Sequence, residues 1–191
     1  MKARLVLGFF LFVFIAGLIF MACTGDDDDD SNENDDSADD DAVEELWEDP
    51  TSGLMWSNFV REYESLDGGK SYCQDLFLAD YGDWRLPTIS ELRSLIRGCE
   101  DTETGGSCGV TDSCLDLSCW ELHDCYGCPY GDRPAWGCYW PSQLQGTCGE
   151  WFWSSSAVAD DDFFVWSVDF LFGKVAYYGV DYDIFNARCV R

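Results

Sequence analysis

Asp83-Trp84-Arg85-Leu86-Pro87-Thr88-Ile89-Ser90-Glu91-Leu92-Arg93-Ser94-Leu95-Ile96 is the most informative stretch of this chain. The residue before Pro87 is pushed toward extended backbone, so Trp84 to Leu86 cannot continue a helix. Thr88-Ile89-Ser90-Glu91 then has the form of a capping box, with a hydroxyl at the first position and a carboxylate three residues later. Leu92, Leu95 and Ile96 follow at helical spacing, which predicts a helix running to about Arg97 and stopped by Gly98. An extended segment followed by a capped amphipathic helix points to a mixed α+β domain.

Upstream, Tyr72, Leu76 and Ala79 share one helical face, with Cys73 beside them, which predicts another helix over 69–79. Earlier still, Pro50-Thr51-Ser52-Gly53 separates Leu46-Trp47-Glu48-Asp49 from Leu54-Met55-Trp56, which reads as a hairpin turn. Downstream, Trp151 to Ser156, Phe163 to Phe170, Val175 to Tyr178 and Asn186 to Arg191 have strand character, and Leu171-Phe172-Gly173-Lys174 forms the turn of a second hairpin. Residues 99–148 differ in kind. They hold eight cysteines, many glycines and little periodicity, and they read as a loop-rich insertion held by its own bridges.

The first 45 residues are an address and a tether. Lys2 and Arg4 precede an uncharged apolar run from Leu5 to Ala22, so residues 1–22 read as a signal peptide. At 18 residues the run also reaches the lower limit for an uncleaved membrane anchor. Phe20-Met21-Ala22-Cys23 resembles the bacterial lipobox, which implies lipid on Cys23 and attachment to a membrane through it. Residues 23–45 carry Asp26 to Asp30 and five further aspartates by Asp41. Such a like-charge block stays extended as a solvated linker; weak calcium capture is the alternative.

Charge restricts the partners. The chain holds 11 Lys+Arg against 37 Asp+Glu, a formal net charge of -26. Nucleic acid is excluded as a partner, because phosphate recognition needs a basic face. Eleven cysteines in 191 residues imply an oxidising compartment and hence export to the cell envelope. Setting Cys23 aside, Cys73, Cys99, Cys108, Cys114, Cys119, Cys125, Cys128, Cys138, Cys148 and Cys189 form an even set whose connectivity spacing alone does not give.

Several groups are candidates for chemistry. Cys125-Tyr126-Gly127-Cys128 is a C-x-x-C, but without a helix N-terminus to activate a thiol it reads as structural; a zinc site with Cys114, Cys119 and His123 fits loosely. His123 is the sole histidine, so Ser154, Ser155 and Ser156 lack a base and read as turn residues. Asp160, Asp161 and Asp162, with Asp181 and Asp183, are candidate calcium ligands; a solvated loop is the alternative. Trp136, Tyr139 and Trp140, with Trp151 and Trp153, are candidates for stacking on sugar rings, with Arg133 and Gln143 adding hydrogen bonds. The competing reading places these rings in the core.

The ordered set Trp47…Asp49-Pro50-Thr51-Ser52-Gly53-Leu54-Met55-Trp56, Tyr72-Cys73…Leu76, Asp83-Trp84-Arg85-Leu86-Pro87-Thr88…Glu91-Leu92…Leu95, Trp153-Ser154-Ser155-Ser156 and Arg188-Cys189-Val190-Arg191 resembles the Lcl C-terminal domain family. The resemblance covers residues 46–191 apart from the insertion. It implies a C-type-lectin-like fold of two helices on small antiparallel sheets, with the chain ends brought together. It further implies that Cys73 pairs with Cys189 and that the other eight cysteines pair within 99–148. A named member of the family is a surface adhesin that binds sulfated glycosaminoglycans. That ligand does not transfer to this acidic domain, whereas an extracellular binding role does. The expected function is a lipid-anchored, non-enzymatic adhesion module at the outer membrane or cell surface, recognising carbohydrate or an extracellular protein. The alternatives are a structural envelope protein without a discrete ligand, and an enzyme like the formylglycine-generating enzymes, which use two reactive cysteines.

Overall fold

A computed structural model describes residues 45–181 and 184–191. The signal segment, Cys23, nearly all of the acidic linker and Asp183 lie outside the described residues.

The first hairpin pairs β1 (Leu46–Glu48) with β2 (Met55–Glu64). Its turn is organised by Asp49, which is buried; its carboxylate accepts from the Thr51 amide at 3.0 Å and the Ser52 hydroxyl at 2.8 Å. Gly53 closes the turn with a φ of 71°, a conformation that a side chain disfavours.

The helix expected over 69–79 is α1, and it runs from Leu66 to Asp75. The Ser65 hydroxyl caps it by accepting from the Gly68 amide, so the helix begins before the glycine pair. It ends early because the Leu76 backbone is extended and Ala79 and Asp80 have positive φ. Gly69 lies where α1 crosses the sheet: a Cβ there would sit 3.1 Å from that of Ala187. The second helix, α2 (Ile89–Arg93), carries the expected capping box, with both the Thr88 and the Glu91 bonds present. It is shorter than the apolar spacing predicts. Beyond Arg93 the backbone tightens, with the amides of Leu95 and Ile96 donating to the carbonyls of Leu92 and Arg93. Leu95 and Ile96 stay fully buried all the same. A one-turn helix, α3 (Leu122–Cys125), lies in the insertion.

The remaining strands are β3 (Trp151–Val158), β4 (Asp161–Asp169), β5 (Lys174–Gly179) and β6 (Phe185–Val190). All six strands form one mixed sheet in the order β1-β2-β6-β3-β4-β5. Its one parallel pair is β3 with β6. The last strand therefore lies between β2 and β3, next to the start of the domain. Ser154, Ser155 and Ser156 lie inside β3 rather than in a turn. There the Ser155 amide donates to the Pro87 carbonyl, and the Ser156 hydroxyl accepts the Ile89 amide at 3.0 Å. The strand thus fixes the start of α2.

Alternation along the strands builds a core on each face of the sheet. Trp153, Val165, Phe185, Ala187 and Cys189 face α1 and pack with Leu66, Trp84 and Leu86. Trp56, Phe152, Trp166, Val168 and Val190 face the other way, toward α2 and the insertion. Residues 99–148 are thus more than a surface loop. Val110, Tyr139, Trp140 and Leu144 belong to the larger core.

Five disulfides hold the domain. Cys73 on α1 is bonded to Cys189 on β6, 116 residues away in sequence. The insertion contains Cys99–Cys128, Cys108–Cys125, Cys114–Cys119 and Cys138–Cys148. Three of these are nested, each bridge enclosing the next.

Two buried arginines complete the attachment of the insertion. Arg93 on α2 donates to the carbonyls of Thr102, Glu103 and Val110. Arg188 on β6 donates to the carbonyls of Ser57 and Gln145, and its guanidinium lies 4.6 Å from the Trp140 ring centre. Burial lowers the pKa of both, that of Arg188 to about 9. Carbonyl oxygens and a π face, rather than a carboxylate, balance the charge of Arg188.

Candidate functional site

The β4–β5 hairpin and the C-x-x-C segment enclose a cleft of about 510 Å³ lined by Tyr126, Gly127, Cys128, Pro129, Tyr130, Trp151, Asp169, Phe172, Lys174 and Tyr178. That volume falls within the usual range for small-molecule sites. One wall comes from the insertion and the other from the sheet. The two walls meet through the Cys128 amide, which donates to the Phe172 carbonyl at 2.7 Å. Gly127 permits this approach. It has a φ of 84°, and a Cβ there would lie 2.2 Å from the Phe172 oxygen. The Cys99–Cys128 bridge and the Tyr139 hydroxyl, which donates to the Pro129 carbonyl at 2.8 Å, fix the insertion wall from behind.

The rings are ordered but accessible. Tyr126 and Tyr130 are 60% and 59% exposed. Tyr130 lies 6.0 Å from Phe172, and Trp151 lies 4.7 Å from Tyr178, between ring centres. The Arg133 guanidinium covers the Tyr130 ring at 3.4 Å. Lys174 reaches across the cleft, with its ammonium 4.6 Å from the centre of Tyr126 and 5.6 Å from that of Trp151.

Asp169 is the buried polar group of the cleft. It sits opposite Lys174 at the end of the hairpin and accepts the Leu171 amide at 2.7 Å. Burial pushes its carboxyl up to about 6, against the opposing pull of the backbone amides and Lys174. Carboxyls perturbed in this way concentrate at clefts that bind or react.

Residues 45–191 match the family model of the Lcl C-terminal domain. This chain belongs to that family. The Lcl C-terminal domain is an extracellular domain, and the five disulfides of this one fit an exported protein. No curated protein and no solved structure matches the chain.

The aromatic residues singled out in the sequence of this Lcl C-terminal domain divide into core and surface. Tyr139 and Trp140 are core, at 0% and 2% exposure, and Trp153 is buried in the core on the other face of the sheet. The expectation that Tyr139 and Trp140 contact ligand is thereby corrected: Trp140 packs against Phe152 and Phe170, and its ring faces are occupied by protein. Arg133 is committed to Tyr130 and to the carbonyls of Tyr130 and Gly137. Trp136, 50% exposed, and Gln143 do come together, but in a separate groove of about 380 Å³ beside Trp47 and Arg97. Of the original aromatic group, only Trp151 lines the larger cleft.

The described candidate calcium ligands fall into two settings. Asp160 accepts the Leu117 amide at 2.6 Å and Asp161 accepts that of Phe163 at 3.1 Å, while Asp162 lies in a different depression with Asp181. Among the described residues, the one grouping of potential metal ligands is Cys114, Asp116 and Cys119, and its two sulfurs are bonded to each other. The C-x-x-C cysteines are likewise bonded outward, Cys125 to Cys108 and Cys128 to Cys99.

Sequence reasoning missed Tyr126, Tyr130, Asp169, Phe172, Lys174 and Tyr178 as a site. A signal was present: Tyr126-Gly127-Cys128-Pro129-Tyr130 places two aromatics in a segment too rich in glycine, proline and cysteine to bury them.

Proposed function

We propose that this chain is an exported, lipid-tethered binding module that uses the aromatic cleft to hold an extracellular ligand, with carbohydrate the chemistry the cleft suits best. The observation that carries this reading is the convergence of accessible rings on a buried acceptor, Asp169, within a cleft of ligand size. Pyranose rings have an apolar face that stacks on aromatic side chains and an edge of hydroxyls that needs fixed polar partners. Lipidation of Cys23 and the acidic stretch over 23–45 would hold the domain away from a membrane surface. A C-type-lectin-like architecture agrees with the α1–β6 disulfide and with the adjacency of the first and last strands.

A formylglycine-type enzyme needs two reactive thiols, and every cysteine among the described residues is in a disulfide, which favours binding over catalysis. The test is binding of the natively exported protein to panels of glycans and extracellular matrix proteins. Saturable binding that the Tyr130→Ala/Trp151→Ala double variant loses, with its disulfides intact, supports the reading. A flat response to every member of both panels refutes it in favour of a purely structural envelope role.

A further inference from the structure

We infer that the cleft selects an uncharged hexopyranose and rejects sulfated sugars. This rests on the proposed binding role of the same cleft and adds the ligand class. Three observations point to it.

First, the cleft offers a sulfate a single cation. Lys174 is its one cationic lining residue, and that ammonium already lies over Tyr126 and Trp151. Arg133 does not line the cleft, and its guanidinium is held over the Tyr130 ring by bonds to the carbonyls of Tyr130 and Gly137.

Second, the polar group built into the wall has the wrong sign for an anion. Asp169 accepts from the Leu171 amide and lies opposite Lys174 in the hairpin. It suits sugar hydroxyls as donors and would repel a sulfate or carboxylate brought beside it.

Third, the surrounding field agrees. Residues 46–191 hold 9 basic and 24 acidic side chains, so a polyanion is repelled on approach. A cationic ligand is disfavoured as well, because the Lys174 ammonium lies beside the Tyr126 and Trp151 rings and repels a second positive charge. What remains is a neutral ring that stacks on the exposed rings of Tyr126 and Tyr130 and donates hydroxyls to Asp169.

The experiment titrates the natively exported chain with cellotetraose, maltotetraose, N,N′-diacetylchitobiose and heparin, followed by calorimetry and saturation-transfer NMR. Tyr126→Ala, Tyr126→Phe and Trp136→Ala are the variants; both positions are exposed, so the fold is retained. At least one uncharged oligosaccharide is expected to bind. Tyr126→Ala should weaken that binding about tenfold, and Tyr126→Phe and Trp136→Ala should leave it within about threefold. Heparin binding that Tyr126→Ala removes would overturn the ligand class while leaving the cleft's binding role intact. Oligosaccharide binding that Trp136→Ala removes and Tyr126→Ala does not would move the site to the other groove and overturn both. Binding by none of the four probes overturns the uncharged-sugar assignment, and the panel experiment then decides the binding role separately.

Discussion

Replacing Asp169 by asparagine should stabilise the domain at neutral pH, by an amount that the structure sets. The Asp169 carboxyl is raised from 3.8 to about 6 in the folded chain, chiefly by burial. Below about pH 4 both folded and unfolded chains hold the proton, and the side chain adds no pH dependence. Between about pH 4 and 6 the unfolded chain releases the proton while the folded chain keeps it, so stability falls as pH rises. Above about pH 6 the folded chain carries a buried charge and the loss is complete. A shift of about two units at about 1.36 kcal/mol each makes that loss about 3 kcal/mol. The Asp169→Asn side chain would retain an oxygen for the Leu171 amide while removing the charge. The variant should therefore match the parent near pH 4 and exceed it by about 3 kcal/mol at about pH 7.5, roughly 6–12 °C in Tm for a domain of this size. Denaturant unfolding of both proteins from about pH 3.5 to 8 measures this, since every other carboxylate titrates alike in the two. A stability difference that stays flat across the range would refute the claim that Asp169 is held near neutrality by burial. The same variant separates stability from binding: a domain that gains stability but loses ligand has given up an acceptor used for recognition.

Other outcomes follow from the packing. The Cys73→Ser/Cys189→Ser double variant should lose about 5 kcal/mol by the chain-entropy estimate for so long a loop, measured by denaturant midpoint under oxidising conditions. Arg93→Met keeps the bulk of the side chain but strands the carbonyls of Thr102, Glu103 and Val110. It should cost about 3 kcal/mol, with hydrogen exchange accelerating over 102–110 before the sheet is affected. Trp140→Ala should destabilise the fold by about 4 kcal/mol as a core cavity, whereas Trp136→Ala should leave the thermal midpoint nearly unchanged.

The regular half of the fold was readable because local rules decide it. The Thr88–Glu91 box needs only its own side chains, and the strands of the β4–β5 hairpin announce themselves through runs of aromatic and β-branched residues on either side of Gly173. Helix lengths were not readable. The extent of α1 depends on the Ser65 cap and on the positive φ at Ala79 and Asp80, and the end of α2 depends on burying Leu95 and Ile96 without further helix. The site was hardest, for a physical reason. In a segment without periodicity, composition does not separate Trp140, which fills the sheet face, from Tyr126 and Tyr130, which stay open. Only the outward pairing of Cys125 and Cys128 aims those tyrosines at the β4–β5 turn.

The concentric arrangement Cys99–Cys128, Cys108–Cys125, Cys114–Cys119 has a consequence for making the protein. Closing the innermost bridge spans 5 residues, the next 17 and the outer 29, so each closure shortens the effective span left for the one outside it. Oxidation is favoured from the inside outward, like a zip fastener. The most tempting error is the short-range Cys125–Cys128 crosslink, which would strand Cys99 and Cys108 without their mates. Recombinant material made without a disulfide isomerase should accumulate that mispaired species, and its aromatic cleft would be missing a wall.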